Sequence, residues 1–304
     1  MKALLNLVRV GVLMLAAPAL FAQGAPDFSN VVIKTNKITD KLYTLEGAGG
    51  TIGVLIGPDG VFMVDTQFAP LSDKIAAAIK RLTPQPIKFI VNTHVHGDHT
   101  GGNENFAGAG AILVAHENVR HRMSTEQFIE FLKMTEKPSP KGALPVVTFA
   151  GSVTFHLNGD EMRAMHVPRA HTDGDAIVHF VGSDVVHMGD VFWNGLYPFV
   201  DYSSGGSITG VIAACSQALA MTTDKTRFIP GHGTLGTRAE LQAYRDMLAT
   251  IAARVQQGIA EGKTDEEIVK LAPSREYDEK WGKAYLKPDK FVGSIAAGMR
   301  NSGS

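Results

Sequence analysis

Ile90-Val91-Asn92-Thr93-His94-Val95-His96-Gly97-Asp98-His99-Thr100-Gly101-Gly102-Asn103 carries more information about the fold than any other stretch of this 304-residue chain. Three imidazoles and a carboxylate fall within six residues, directly after the apolar run Ile87–Val91. Were the strand to continue, His94 and His96 would face the same side, so one metal could take both. Gly97 lets the backbone turn and would point Asp98 and His99 toward a second position beside the first. Zinc prefers such nitrogen and oxygen donors, with bonds of about 2.0–2.2 Å. Packing this many polar groups at an apolar strand end is costly unless something binds them. A surface turn that happens to hold histidines would explain one such residue, but not the cluster.

The composition around this stretch is that of a globular protein. Hydrophobic residues make up 44% and charged residues 19%, which excludes disorder. With 29 basic against 30 acidic side chains there is no overall basic field of the kind a nucleic-acid binder uses. Cys215 is the only cysteine, so an internal disulfide and a cysteine-rich zinc finger are both excluded. Any metal site must be built from the eleven histidines and from carboxylates.

Residues 1–22 read as a secretory signal peptide: Lys2 and Arg9 precede the apolar run Val10–Ala17, and Pro18–Ala22 supplies a small-residue exit. The apolar run is shorter than the roughly 20 residues of a spanning helix. A single domain over residues 23–304, periplasmic or secreted, is the expectation. Strands are predicted over Val31–Leu45, Thr51–Ile56, Val61–Val64, Ile87–Val91 and Ala111–Ala115. Further strands fall at Val146–Phe149, Val153–Leu157, Met162–Val167, Ala176–Val181, Asp184–Met188 and Arg227–Ile229. Helices are predicted over Asp73–Leu82, from near Gly102, and over Glu117–Met134, Ser207–Met221 and Arg238–Glu261. Strands in runs, broken by helices in both halves, define an α/β protein with two packed sheets covered outside by helices.

The HxHxDH pattern after an apolar strand resembles the signature of the metallo-β-lactamase-fold hydrolases. The remaining pieces of that pattern occur downstream in order: His171 in Arg169-Ala170-His171-Thr172-Asp173-Gly174-Asp175, Asp190 in His187-Met188-Gly189-Asp190, and His232 in Ile229-Pro230-Gly231-His232-Gly233. Singly these would pass for a loop histidine, a strand-end cap and a turn residue; their order and context together carry the likeness. The resemblance implies a four-layer αββα sandwich with the site at one edge, between the sheets. It implies two Zn2+ per chain, other divalent metals being possible. His94, His96 and His171 would hold one zinc, Asp98, His99 and His232 the second, and Asp190 would bridge them.

Two zincs sharing a water would lower its pKa toward neutrality and supply hydroxide for attack on an ester- or amide-type carbonyl. Asp98 would orient that nucleophile and carry a proton to the leaving group. A small-molecule substrate such as a β-lactam, lactone or thioester is expected, with no nucleic-acid partner and no membrane attachment after signal cleavage. Compared with the first subclass of class B β-lactamases, Asp190 replaces a cysteine and Trp193 stands where a lysine grips the β-lactam carboxylate. Asp190 with His99 is similar to the wider superfamily, including glyoxalase II and lactonases. Arg169 is then a candidate cation. A superfamily phosphodiesterase or nuclease, a non-catalytic periplasmic metal-binding protein, and a di-iron oxidative enzyme are the competing classes.

Outside the ligand set, Asp65 reads as the hydrogen-bond partner of a ligand histidine or of a nearby turn, and His187 as a candidate support behind the ligands or a pocket residue. Cys215 reads as a buried small residue. The aromatic segment Val191–Tyr202 is a candidate pocket wall, with Phe192 and Phe199 equally suited to packing under the sheet edge. Glu126–Val147 reads as a rim or cover, and the tail with Trp281 and Tyr285 as part of the outer layer or an oligomer contact.

Overall fold

The computed structural model describes residues 27–302; the signal segment read at residues 1–22 lies outside them. The first half forms β1 (Lys34–Lys37), β2 (Leu42–Glu46), β3 (Ile52–Leu55), β4 (Val61–Val64), β5 (Ile87–Val91) and β6 (Ile112–His116). A small hairpin follows, β7 (Gln127–Ile129) with β8 (Met134–Glu136), and then β9 (Val147–Phe149). The second half forms β10 (Ser152–Leu157), β11 (Asp160–His166), β12 (Ala176–Phe180), β13 (Val185–His187), β14 (Trp193–Asn194), β15 (Arg227–Ile229), β16 (His232–Gly233) and β17 (Gly236–Thr237). One sheet has the order β1-β2-β3-β4-β5-β6-β9 and the other β10-β11-β12-β13-β15-β17.

Period-2 alternation sorts each strand's side chains into two layers. In β4, Phe62 and Val64 face the second sheet, where they meet Met162, Val178 and Phe180. Val61 and Met63 face the other way, toward Ile75 and Ile79 of helix α1 (Ser72–Leu82). In β12 and β13, Ile177 and Val186 likewise turn outward onto Val211 and Cys215 of a helix, Ile208–Ala220, and onto Leu241 and Leu248 of the long helix Arg238–Ala260. The result is the expected αββα sandwich. Each fully buried Val, Leu or Phe contributes about 1.5–3 kcal/mol, so the layers are held chiefly by these three apolar seams.

Two predicted elements differ from the observed ones. The strand read over Val31–Leu45 is two antiparallel strands, because Thr39 Oγ1 accepts from the Lys41 and Leu42 amides and closes a turn. The helix read over Glu117–Met134 ends at Met123. There the Ser124 and Thr125 hydroxyls both donate to the His121 carbonyl and end the helix. The chain beyond forms the β7–β8 hairpin instead. The strand before the histidine cluster is Ile87–Val91, as predicted, and does not run on through the cluster: His94 and His96 stand in a bend and Gly97 opens a one-turn helix, Gly97–Thr100.

Candidate metal centre

Both sheets present their chemistry at one edge. From the first sheet come Asp65, just past β4, and the turn carrying His94 to His99, just past β5. From the second come His171 between β11 and β12, Asp190 just past β13, and His232 in β16. The Gly231 amide donates to the carbonyls of Gly189 and Phe192, which draws the His232 loop against the Asp190 loop. No side chain fits at Gly231: a Cβ there would lie 2.0 Å from Asp190 Oδ1. Gly50 is excluded from bearing one by His99, whose Cε1 would be 2.1 Å away.

Four of the rings have their outward nitrogen fixed by an acceptor. His171 Nδ1 donates to the Phe199 carbonyl at 2.8 Å. His99 Nδ1 donates to Asp65 Oδ2 at 2.7 Å, and His96 Nε2 to Asp201 Oδ2 at 3.0 Å. Thr93 gives its one hydroxyl proton to Asp65 (2.8 Å), so His94 Nδ1, 3.0 Å from Thr93 Oγ1, donates to that hydroxyl. A neutral imidazole whose outer nitrogen carries the proton turns a bare nitrogen inward. Metal binding needs that neutral form in all four rings; burial favours it at His99 too, but Asp190, Asp98 and Asp65 outweigh burial and hold this ring well above the ordinary histidine value, so an ion there must displace a proton. Asp65 is itself held rigidly, accepting also from the Thr93 amide at 2.7 Å, with its backbone in the left-handed region (φ 64°).

These inner donors have the spacing of a metal's ligands. His96 Nδ1 lies 3.1 Å from His94 Nε2 and 2.9 Å from His171 Nε2, where tetrahedral zinc with bonds near 2.0 Å sets its donors about 3.3 Å apart. Asp190 is central: Oδ2 lies 3.4, 3.5 and 3.9 Å from the Nε2 atoms of His232, His171 and His94, and Oδ1 lies 3.0 Å from His99 Nε2. His99 Nε2 and Asp190 Oδ1 are both buried without a well-formed hydrogen bond, the mark of donors meant for something else. Asp98 Oδ2 completes the far side, 3.3 Å from His232 Nε2 and 3.7 Å from His99 Nε2. Three groups could each hold an ion, namely His94/His96/His171, His94/His99/Asp190 and Asp98/His99/His232. The structure thus brings together all seven residues singled out in the sequence, with Asp190 between two trios.

Burial, which opposes a charge, brings His171 down to about 4 and holds His94 well below the ordinary histidine value. Burial acts the same way on His232, but Asp190 and Asp98 outweigh it and raise this ring to about 9. Below pH 9 a metal ion must therefore displace a proton from His232, so metal affinity should rise with pH up to that point. The expected slope is about tenfold per pH unit for each proton released. Zinc titration calorimetry in buffers of different ionisation enthalpy would count the protons.

Several functional contacts escaped the sequence reading. Asp201, 1% exposed, holds the His96 ring, and its only signal was a carboxylate inside the apolar run Phe199-Val200-Asp201-Tyr202. Tyr285, assigned to the outer layer, lies with its ring 5.2 Å from Trp193, which in turn packs 4.2 Å from His232. Phe199 stacks on His96 at 5.8 Å, whereas Phe192 packs away from the site against Tyr244. Of the two readings of His187, the structure bears out support behind the ligands and not a pocket position: it is fully buried, with Nε2 on the Thr51 carbonyl and Nδ1 accepting from the amide of Gly189, the residue before Asp190. Arg169 is exposed on the turn before His171. Cys215 is buried in its helix, where burial pushes its thiol far up, and it is no nucleophile.

The profile of the metallo-beta-lactamase superfamily matches residues 46–243, and the chain belongs to that superfamily as a metal-dependent hydrolase. Among individual proteins, it is 24% identical over 265 residues to the 2,4-dinitroanisole O-demethylase subunit alpha of Nocardioides sp., covering 85% of this chain and 76% of that one. It is 25% identical over 219 residues to the hydroxyacylglutathione hydrolase of Polaromonas sp., covering 72% and 74%. The solved metallo-beta-lactamase from Pontibacter korlensis superposes with a TM-score of 0.60 at 18% identity, over 71% of this chain and 99% of that one, a likeness of fold.

Proposed function

We propose that this protein is an exported dinuclear zinc hydrolase of small molecules, acting on an ester- or amide-type carbonyl such as that of a lactone, thioester or β-lactam. The observation that carries the reading is the set of four histidines whose outer nitrogens are committed to acceptors, with the inner nitrogens of His94, His99 and His171 gathered around Asp190 and that of His96 set against those of His94 and His171. In this reading His94, His96 and His171 hold one ion, Asp98, His99 and His232 the other, and Asp190 lies between. Bound there, zinc supplies Lewis acidity and makes water a nucleophile near neutral pH.

The chain's own contribution centres on Asp98, a quarter exposed at the mouth of the cluster. Burial alone would raise this carboxyl, but His99 and His232 beside it bring it down to about 2. It is thus ionised at neutral pH, able to orient an attacking water and to pass a proton toward the leaving group. Replacing Asp98 with asparagine should lower kcat by about 10²–10⁴ while the circular dichroism spectrum stays that of the parent. Full activity with unchanged metal content would remove Asp98 from the mechanism.

The hydroxyacylglutathione hydrolase relative is a further support for a thioester or ester substrate. Export rests on the composition of residues 1–22, and no helix among the described residues is long and apolar enough to cross a membrane. The deciding experiment is parallel hydrolysis of a chromogenic cephalosporin, a lactone, a thioester and a bis-phosphate ester by the zinc-loaded protein. Cleavage of the phosphate ester alone would replace this reading with a phosphodiesterase.

A further inference from the structure

We propose that the β7–β8 hairpin and the His94/His96/His171 trio form one coupled unit: an ion held by the trio locks the hairpin beside the centre, and the seated hairpin tightens the trio's grip. Ser203 and Phe131 are the positioning residues that carry the coupling. The inference rests on the metal assignment of the hydrolase reading, and not on the reaction assigned there.

The hairpin is a separate two-stranded sheet, paired with neither of the large ones. Such a ribbon is marginally stable alone, so its order depends on what it is fastened to. Ile129 anchors it, 3% exposed in the apolar layer outside the second sheet, whereas Phe128 on the opposite face is half exposed. Three further fastenings lead to the centre. At the turn, the Glu130 amide donates to Ser203 Oγ at 3.1 Å. Ser203 in turn donates to Asp201 Oδ1, and Asp201 Oδ2 receives the Nε2 proton of His96 at 3.0 Å. Phe131, in the same turn, packs with its ring centroid 5.1 Å from that of Phe199. Phe199 lies 5.8 Å from the His96 ring and 5.7 Å from the His171 ring, and its carbonyl accepts from His171 Nδ1 at 2.8 Å. At the start of β7, Gln127 Oε1 accepts from Arg122 at 2.8 Å. The same guanidinium holds both carboxylate oxygens of Asp173, two residues past His171, at 2.7 and 2.7 Å.

These routes end at His96 and at His171 or its turn, and both rings belong to one trio. None of the three touches Asp98, His99 or His232. An imidazole that gives one nitrogen to a cation carries a more strongly donating N–H on the other. An ion at the inner nitrogens therefore strengthens the bond from His96 to Asp201 and the bond from His171 to Phe199. Those bonds fix the Asp201 carboxylate and the Phe199 backbone, the two points on which Ser203 and Phe131 are seated. Coupling of this kind is reciprocal: the factor by which the ion favours the seated hairpin is the factor by which the seated hairpin favours the ion.

Hydrogen exchange and zinc titration test the two directions. Zinc loading should slow exchange of the hairpin amides, that of Glu130 included, by about fivefold or more. Ser203→Ala, at an exposed position, should remove at least about half of that slowing. It should also weaken the ion at His94/His96/His171 by about three- to tenfold, while the ion at Asp98/His99/His232 stays within about twofold of the parent. Spectra of 15N-histidine recorded during the titration tell which rings each equivalent of zinc fills. Phe131→Ala should act in the same direction, and Ser203→Thr, which retains the hydroxyl, should restore the parent values. Ser203→Ala carries the test alone if the phenylalanine variant does not fold. Hairpin exchange indifferent to zinc, or unchanged affinity at the trio in Ser203→Ala, overturns the proposal. Equal weakening of both ions overturns it too, because it marks a general loosening. Two bound zincs with the coupling intact and no hydrolysis sink only the hydrolase, and hydrolysis with no coupling sinks only the coupling.

Discussion

Substituting asparagine for Asp190 should leave the zinc-loaded protein with less than one ion per chain and lower its hydrolytic rate by at least about a thousandfold. This carboxylate is within 3.9 Å of inner nitrogens on four histidines from three separate loops. An amide there keeps the shape, removes the charge, and aims N–H groups at nitrogens that have lone pairs to offer. The same change withdraws the first support for the raised His232, whose pKa should fall back toward the ordinary histidine value in the metal-free protein. Metal analysis by mass spectrometry checks the first outcome and proton NMR titration of His232 the second. Retention of two tightly held ions would contradict the bridging role.

The second large effect is expected at Asp201. Removing its side chain by alanine substitution should weaken zinc binding by about 10- to 100-fold, the usual consequence of losing the group that orients a ligand histidine. His96 Nε2–H would be left buried without an acceptor, a cost of about 1–3 kcal/mol, and the Ser204 amide would keep only its bond to the Asp201 carbonyl. Ser203, which also donates to Asp201, would lose the group that aims it at the hairpin. Asparagine retains an acceptor oxygen and should recover much of the affinity. A purely structural role would lower the melting temperature of both variants without moving the zinc dissociation constant.

The layers of the fold were legible because alternation in strands such as Val61–Val64 is a local pattern with one physical meaning. The ligand set was legible because its residue types are rare together and stand at strand ends. What escaped was decided by contacts distant in sequence. Asp201 meets His96 across 105 positions, and Tyr285 reaches Trp193 from the tail. The β7–β8 hairpin was hidden because Glu117–Met134 has helical spacing, and two hydroxyls at Ser124 and Thr125 end that helix in favour of the hairpin.

The cluster draws His94, His96, Asp98 and His99 from one sheet, and His171, Asp190 and His232 from the other. None of the three groups that could hold an ion lies wholly in one half, so neither half offers a complete group until the two have docked. Bound metal then acts as a rivet across the seam: it does little to hasten assembly, which precedes it, and a great deal to delay separation, which must tear it out. The lifetime of the native state, more than its rate of formation, is what this arrangement places under the control of metal supply.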